Sequence, residues 1–97
     1  PDTRNTKVID LVKKLTDKGV KVDVYDPWVD EKEVSKQYNI SLINYPKDNH
    51  YEAVIVAVAH KQFIDMGGNQ ISKFGKSESL IFDLKHVLER KYSDLRL

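Results

Sequence analysis

Ala53-Val54-Ile55-Val56-Ala57-Val58-Ala59, closing on His60, decides how this chain is read. An unbroken apolar run of this length, rich in β-branched residues, suits a strand buried on both faces, which is the habit of parallel sheets. A buried helix so short would be unusual. A second stretch, Val20 to Tyr25, alternates Val20, Val22 and Val24 against Lys21, Asp23 and Tyr25, then closes on Asp26-Pro27-Trp28. Pro27 has no N–H to continue a ladder, so this too reads as a strand feeding a turn. In an open α/β sheet, ligands bind in the crevice beyond the carboxyl ends of the strands. The polar residues that close these runs are therefore the first candidates for function.

Working outward, Val8, Ile9, Leu11, Val12 and Leu15 recur at spacings of three and four between Thr6 and Lys18, with charges between them. That spacing predicts an amphipathic helix. Gly19 is its natural stop, Asn5 or Thr6 its cap, and Asp2 lies just before the positive end of its dipole. Asp30 to Tyr38, with Glu31 and Glu33 in the first turn, predicts a short helix stopped at Asn39, and Ile40 to Ile43 a small edge strand. Asn44 to Asn49 is a loop. Lys61 to Met66 is expected to be helical up to Gly67-Gly68, with Asn69 to Phe74 a second turn or helix ending at Gly75. Leu80 to Asp83 is the last buried strand, followed by Leu84 to Leu88 and a polar tail.

Strands alternating with helices imply right-handed crossovers and a three-layer α/β/α Rossmann-like domain on a parallel sheet. A unit that opens on its helix is expected to have a strand before it, in the middle of the sheet. The expected fold therefore lacks its first strand. The flanking strands must pair directly or recruit another chain's edge, so self-association is expected.

Composition sets the outer limits. The 97 residues are enough for one small domain, and 40% hydrophobic with 32% charged residues is the balance of a soluble globular protein. A net charge of +1 offers no field for nucleic acid or an anionic membrane, and the absence of cysteine removes disulfides, thiolate metal sites and cysteine nucleophiles from these residues. His50, His60 and His86 have no metal-ligand spacing, so no metal site is expected. No apolar run could span a bilayer, and Pro1-Asp2-Thr3-Arg4 has no signal-peptide character, which makes a cytoplasmic setting the default. A chain opening on Pro rather than Met is expected to be a fragment.

Five segments, in order, carry a resemblance: Pro1-Asp2-Thr3-Arg4-Asn5-Thr6-Lys7-Val8-Ile9-Asp10, Val22-Asp23-Val24-Tyr25-Asp26-Pro27-Trp28-Val29, Ala57-Val58-Ala59-His60-Lys61-Gln62-Phe63, Phe82-Asp83-Leu84-Lys85-His86-Val87-Leu88 and Ser93-Asp94-Leu95-Arg96-Leu97. Over nearly the whole chain they resemble the C-terminal, UDP-binding domain of the UDP-glucose/GDP-mannose dehydrogenase family. The nearest flavour is the group oxidising UDP-N-acetylhexosamines for bacterial surface polysaccharide and capsule. The resemblance implies a parent enzyme whose N-terminal Rossmann domain binds NAD, whose central helical region forms a homodimer, and whose catalytic cysteine lies in the middle of the chain. It implies two oxidations at the sugar C6, yielding a UDP-uronic acid. Neither the cysteine nor a Gly-x-Gly-x-x-Gly loop is present here, so this chain is expected to be inactive alone, with no catalytic residue of its own.

What remains is the wall that holds a UDP-sugar. Lys85, two residues past the final strand, stands where the family places a basic residue near the nucleotide's phosphates or ribose; the alternative is an ordinary solvated lysine. His86, its neighbour, replaces the Gly or Arg common there and is the second candidate contact. Arg4 is the third, able to reach a phosphate from the start of the first helix or else to order its loop with Asp2. Asp26 occupies the place of a ribose-binding acid in dinucleotide folds, but without the glycine loop it reads better as a turn cap. Trp28 reads as packing, and His60 as a hydrogen-bonded structural residue rather than a general base. Asp94 and Arg96 belong to the terminal motif, touching either substrate or another subunit. The rival reading is a Rossmann-like interaction module with no catalytic role; a small NAD- or flavodoxin-like binder is disfavoured by the missing phosphate loop.

Overall fold

The computed structural model describes residues 6–26 and 41–96. They fall into two compact units that divide between Pro46 and Lys47. Asp2, Arg4, Asn5, Trp28 and the helix expected over Asp30 to Tyr38 lie outside the described residues.

In the first unit, α1 spans Thr6–Asp17. Ile9 and Val12 are buried, and Val8, Leu11 and Leu15 are half-buried, so the apolar stripe read from the sequence is the face that packs. Gly19 closes the helix at φ 86°, a left-handed conformation open to glycine at no steric cost. The Gly19 N–H donates to the Thr16 carbonyl at 2.9 Å and the Val20 N–H to the Leu15 carbonyl at 3.1 Å, the paired bonds of a Schellman stop. The strand that follows, β1 (Asp23–Val24), pairs in parallel with β2 (Ser41–Leu42), Asp23 opposite Ser41 and Val24 opposite Leu42. The expected strand over Val20 to Tyr25 is thus cut to two residues. Its partner β2 is equally short, and a two-stranded ribbon has little cooperative support for a longer ladder.

The second unit holds β3 (Tyr51–Val56), α2 (Lys61–Ser72), β4 (Gly75–Asp83), a 3-10 turn (Arg90–Tyr92) and β5 (Leu95–Arg96). The sheet order is β3-β4-β5 and both pairings are parallel. Every strand pairing among the described residues is parallel, and α2 connects the paired strands β3 and β4, so the fold class is α/β and Rossmann-like. The described strands form two sheets rather than one, with β1 and β3 each at an edge.

Three boundaries differ from the sequence reading. The run Ala53 to Ala59 yields a strand that starts at Tyr51 and ends at Val56, which places His60 beyond the strand. That strand is buried on one face, not two. Val54 and Val56 lie opposite Ile81 and Asp83, and Val56 and Ile81 join Ile71, Phe74 and Leu88 in the core. On the other face Ala53 pairs with Leu80 and Ile55 with Phe82; Ile55 is 38% exposed and Leu80 51%. Next, β4 begins at Gly75 rather than Leu80, because Tyr51 pairs with Gly75 before an irregularity resumes the register at Ala53 and Leu80. Last, the polar tail contains β5, whose Leu95 and Arg96 lie opposite Phe82 and Asp83.

The two helical pieces expected around Gly67-Gly68 are observed as one element broken at Gly67, where φ is 79° and ψ 164°. Gly68 is buried, and a Cβ there would overlap the Tyr92 ring. Substituting Gly68→Ala is expected to destabilise the unit by about 1–3 kcal/mol through overpacking. A thermal midpoint that stayed at the wild-type value would show that the 3-10 turn carrying Tyr92 is free to withdraw. In the first turn of α2, Lys61 pairs with Asp65 at 2.9 Å. The hydrogen bond that Lys61 donates to Asp65, then the charge of that carboxylate, holds the Lys61 ammonium above its usual pKa, yet both side chains are solvated and the pair adds little stability.

Candidate functional site

Because β3, β4 and β5 run in parallel with Val56 opposite Asp83 and Asp83 opposite Arg96, all three strands end on one edge of the sheet. This is the carboxyl edge at which open α/β sheets hold ligands. Two connections leave it: Ala57 to His60, leading into α2, and Leu84 to Glu89, leading into the 3-10 turn.

The second connection carries the cation. The Leu84 N–H donates to the Val56 carbonyl at 3.0 Å, tying the start of the loop to the neighbouring strand. At its far end Leu88 is buried in the core. Between these anchors Lys85 and His86 are exposed, and among the described residues the Lys85 ammonium has no ion-pair partner. His86 adopts φ 56°, in the left-handed region that non-glycine residues seldom occupy.

Asp83, the last residue of β4, is fully buried. Its Oδ1 accepts the N–H groups of Lys85 at 3.3 Å and Val87 at 3.0 Å, and its Oδ2 accepts that of Leu88 at 2.8 Å. Sequence reasoning assigned Asp83 no role. The signal was present: an aspartate ending a strand and followed by a turn is the pattern of an Asx-turn, in which the carboxylate takes the amide two residues on.

The other sequence candidates separate cleanly. His60 is the N-cap of α2, its Nδ1 accepting the Gln62 N–H at 3.0 Å while its ring packs against Phe63 at 5.4 Å. It serves the helix, in keeping with a structural reading. Asp94 faces the strand backbone: its Oδ2 accepts the Ile81 N–H at 2.7 Å and its own N–H donates to the Ile81 carbonyl at 2.8 Å. That latch starts β5. Asp26 lies two residues beyond β1, half-buried. Arg4 is outside the described residues, so Lys85 and His86 are the two candidate contacts that the structure describes, adjacent on one loop. No three potential metal-ligating side chains converge among the described residues.

A cation on a loop pinned at both ends, at the carboxyl edge of a parallel sheet, can hold an anion such as a diphosphate. Comparison with known proteins agrees with that chemistry. Residues 1–90 match the family model described as UDP-glucose/GDP-mannose dehydrogenase family, UDP binding domain. All 97 residues align at 50% identity with the UDP-N-acetyl-D-glucosamine 6-dehydrogenase of Salmonella typhi and at 44% with that of Pseudomonas aeruginosa, covering 23% of each. A further 88-residue alignment, 91% of the chain, is 32% identical to Protein CapL of Staphylococcus aureus and covers 20% of it. The chain thus spans about a quarter or less of the length of the curated relatives it matches. No solved structure matches it. With the family model covering most of its length and the parallel α/β architecture in agreement, the chain belongs to the UDP-glucose/GDP-mannose dehydrogenase family and carries its UDP binding domain.

Proposed function

We propose that this chain is the UDP-holding domain of an NAD-dependent UDP-N-acetylhexosamine 6-dehydrogenase that makes UDP-uronic acids for surface polysaccharide, with Lys85 and His86 meeting the nucleotide. The observation that carries this reading is the exposed Lys85 ammonium, without an ion-pair partner among the described residues, on the carboxyl-edge loop of a chain that the family model matches. A lysine there acts as a point charge toward a diphosphate. The relatives named as UDP-N-acetyl-D-glucosamine 6-dehydrogenases support the substrate class, and the likeness to Protein CapL supports the capsule setting.

Among the described residues, the turn from β3 into α2 does not have the form of a dinucleotide cradle. The turn from β3 into α2 contains no glycine and is capped by His60, whereas Gly67-Gly68 interrupts the helix instead of opening it. A pyrophosphate cradle at a strand-to-helix turn needs glycines that let the backbone approach the ligand closely. NAD therefore belongs to another part of the parent enzyme, which we read as a cytoplasmic homodimer; no described helix is long and apolar enough to cross a membrane. The isolated chain binds and does not oxidise.

The test is Lys85→Ala in the full-length protein. UDP affinity by calorimetry is expected to fall about tenfold, the worth of one charge-assisted contact, with the loss appearing in KM rather than kcat. Unchanged affinity would remove Lys85 from the site. Failure of the wild-type protein to reduce NAD with any UDP-hexosamine would favour a non-catalytic interaction module.

A further inference from the structure

Asp83 is the one buried charged side chain among the described residues. A carboxylate withdrawn from water is costly unless hydrogen bonds replace its hydration. Here the amides of Lys85, Val87 and Leu88 do so, and those three come from a single loop. The dependence runs both ways. The loop passes through His86 at φ 56°, a conformation that persists in a non-glycine residue only where the surroundings over-determine it. The Leu84 bond to Val56 and the burial of Leu88 fix the loop's ends, and the carboxylate bonds three amides along the path between them. Its negative charge opposes an anion bound outside, so neutralising it favours binding electrostatically, and a loss of affinity in Asp83→Asn reports the shape of the turn rather than the charge.

We infer that Asp83 is a positioning residue for diphosphate binding: its buried carboxylate holds the Lys85–Leu88 turn in its binding shape before ligand arrives. The inference rests on the reading of Lys85 as a diphosphate contact. Preorganisation of this kind raises affinity by removing the ordering cost from the binding step.

The test is a double-mutant cycle in the full-length protein, with UDP as the titrant. Asp83→Asn keeps the shape of the side chain but sets an amide donor against one of the backbone donors. It is expected to weaken UDP binding about tenfold in the Lys85 background and by less than about twofold when Lys85 is already alanine. Equal losses in both backgrounds would mean that Asp83 acts on the fold as a whole and would overturn the inference. No loss in either would overturn it too, while wild-type UDP binding keeps the functional reading intact. If the wild type itself does not bind UDP, the functional reading fails first, and the inference about diphosphate goes with it.

Because a variant at a fully buried position can fail to fold, hydrogen exchange of the wild-type protein gives a second decision. The amides of Lys85, Val87 and Leu88 are expected to exchange slowly without ligand and to gain less than about threefold protection when UDP is added. Fast exchange without UDP, with protection appearing only on its addition, would show that the ligand and not Asp83 orders the turn.

Discussion

Truncating Phe74 to alanine is expected to cost about 3–5 kcal/mol, enough to unfold a large share of a domain of ordinary stability. Phe74 is 4% exposed and packs with Val56, Ile71, Ile81 and Leu88, the side chains that join α2 to the sheet. Its backbone works at the same point: the Phe74 N–H donates to the Ile71 carbonyl at 3.2 Å, and its carbonyl accepts the N–H groups of His50 and Tyr51, each at 3.0 Å. The residue therefore closes α2 and aligns the first residue of β3. Losing the ring leaves a cavity between helix and sheet that neither can collapse to fill, because the backbone bonds on both sides hold them. Urea unfolding that showed less than about 1 kcal/mol of loss would place Phe74 at a site able to repack.

Asp83→Ala is expected to have the second large effect, about 3–5 kcal/mol of stability. The reason differs in kind. No large apolar volume is lost; the half-buried amides of Lys85 and Val87 and the buried amide of Leu88 lose their acceptor. Each unpaired buried donor is expensive, and the Leu88 amide is the most enclosed of the three. The Asp83→Asn change, which leaves an acceptor oxygen in place, is expected to cost less than half as much. An alanine variant as stable as the wild type would mean that water reaches these amides.

Much of this was legible in the residues. The three- and four-residue spacing over Val8 to Leu15 and the glycine after it placed α1 and its stop, since both are local signals that do not depend on partners. The carboxyl-edge position of Lys85 followed from strand order alone. The misplaced boundaries are non-local. Lys76-Ser77-Glu78-Ser79 has no strand pattern, and β4 covers it because Gly75 finds Tyr51 across an irregular register. The polar tail likewise gives no signal for β5, which starts where the Asp94 carboxylate takes the Ile81 amide. The apolar run through Ala59 was read as a strand buried on both faces, whereas Ile55 and Leu80 are exposed on the face away from the core, because an unbroken run carries no period to tell one face from the other. Asp83 went unassigned although its signal is local: the three amides that it accepts lie two, four and five residues on. Arg4 lies outside the described residues, so that contact remains a proposal of the sequence.

The most direct measurement is the distance from the Lys85 Nζ to the nearest diphosphate oxygen in a crystal structure of the full-length protein with UDP. An ion pair of about 4 Å or less is expected, with the Lys85–Leu88 turn unchanged and the Asp83 bonds intact. A diphosphate held elsewhere, with Lys85 beyond about 8 Å and solvated, would contradict it.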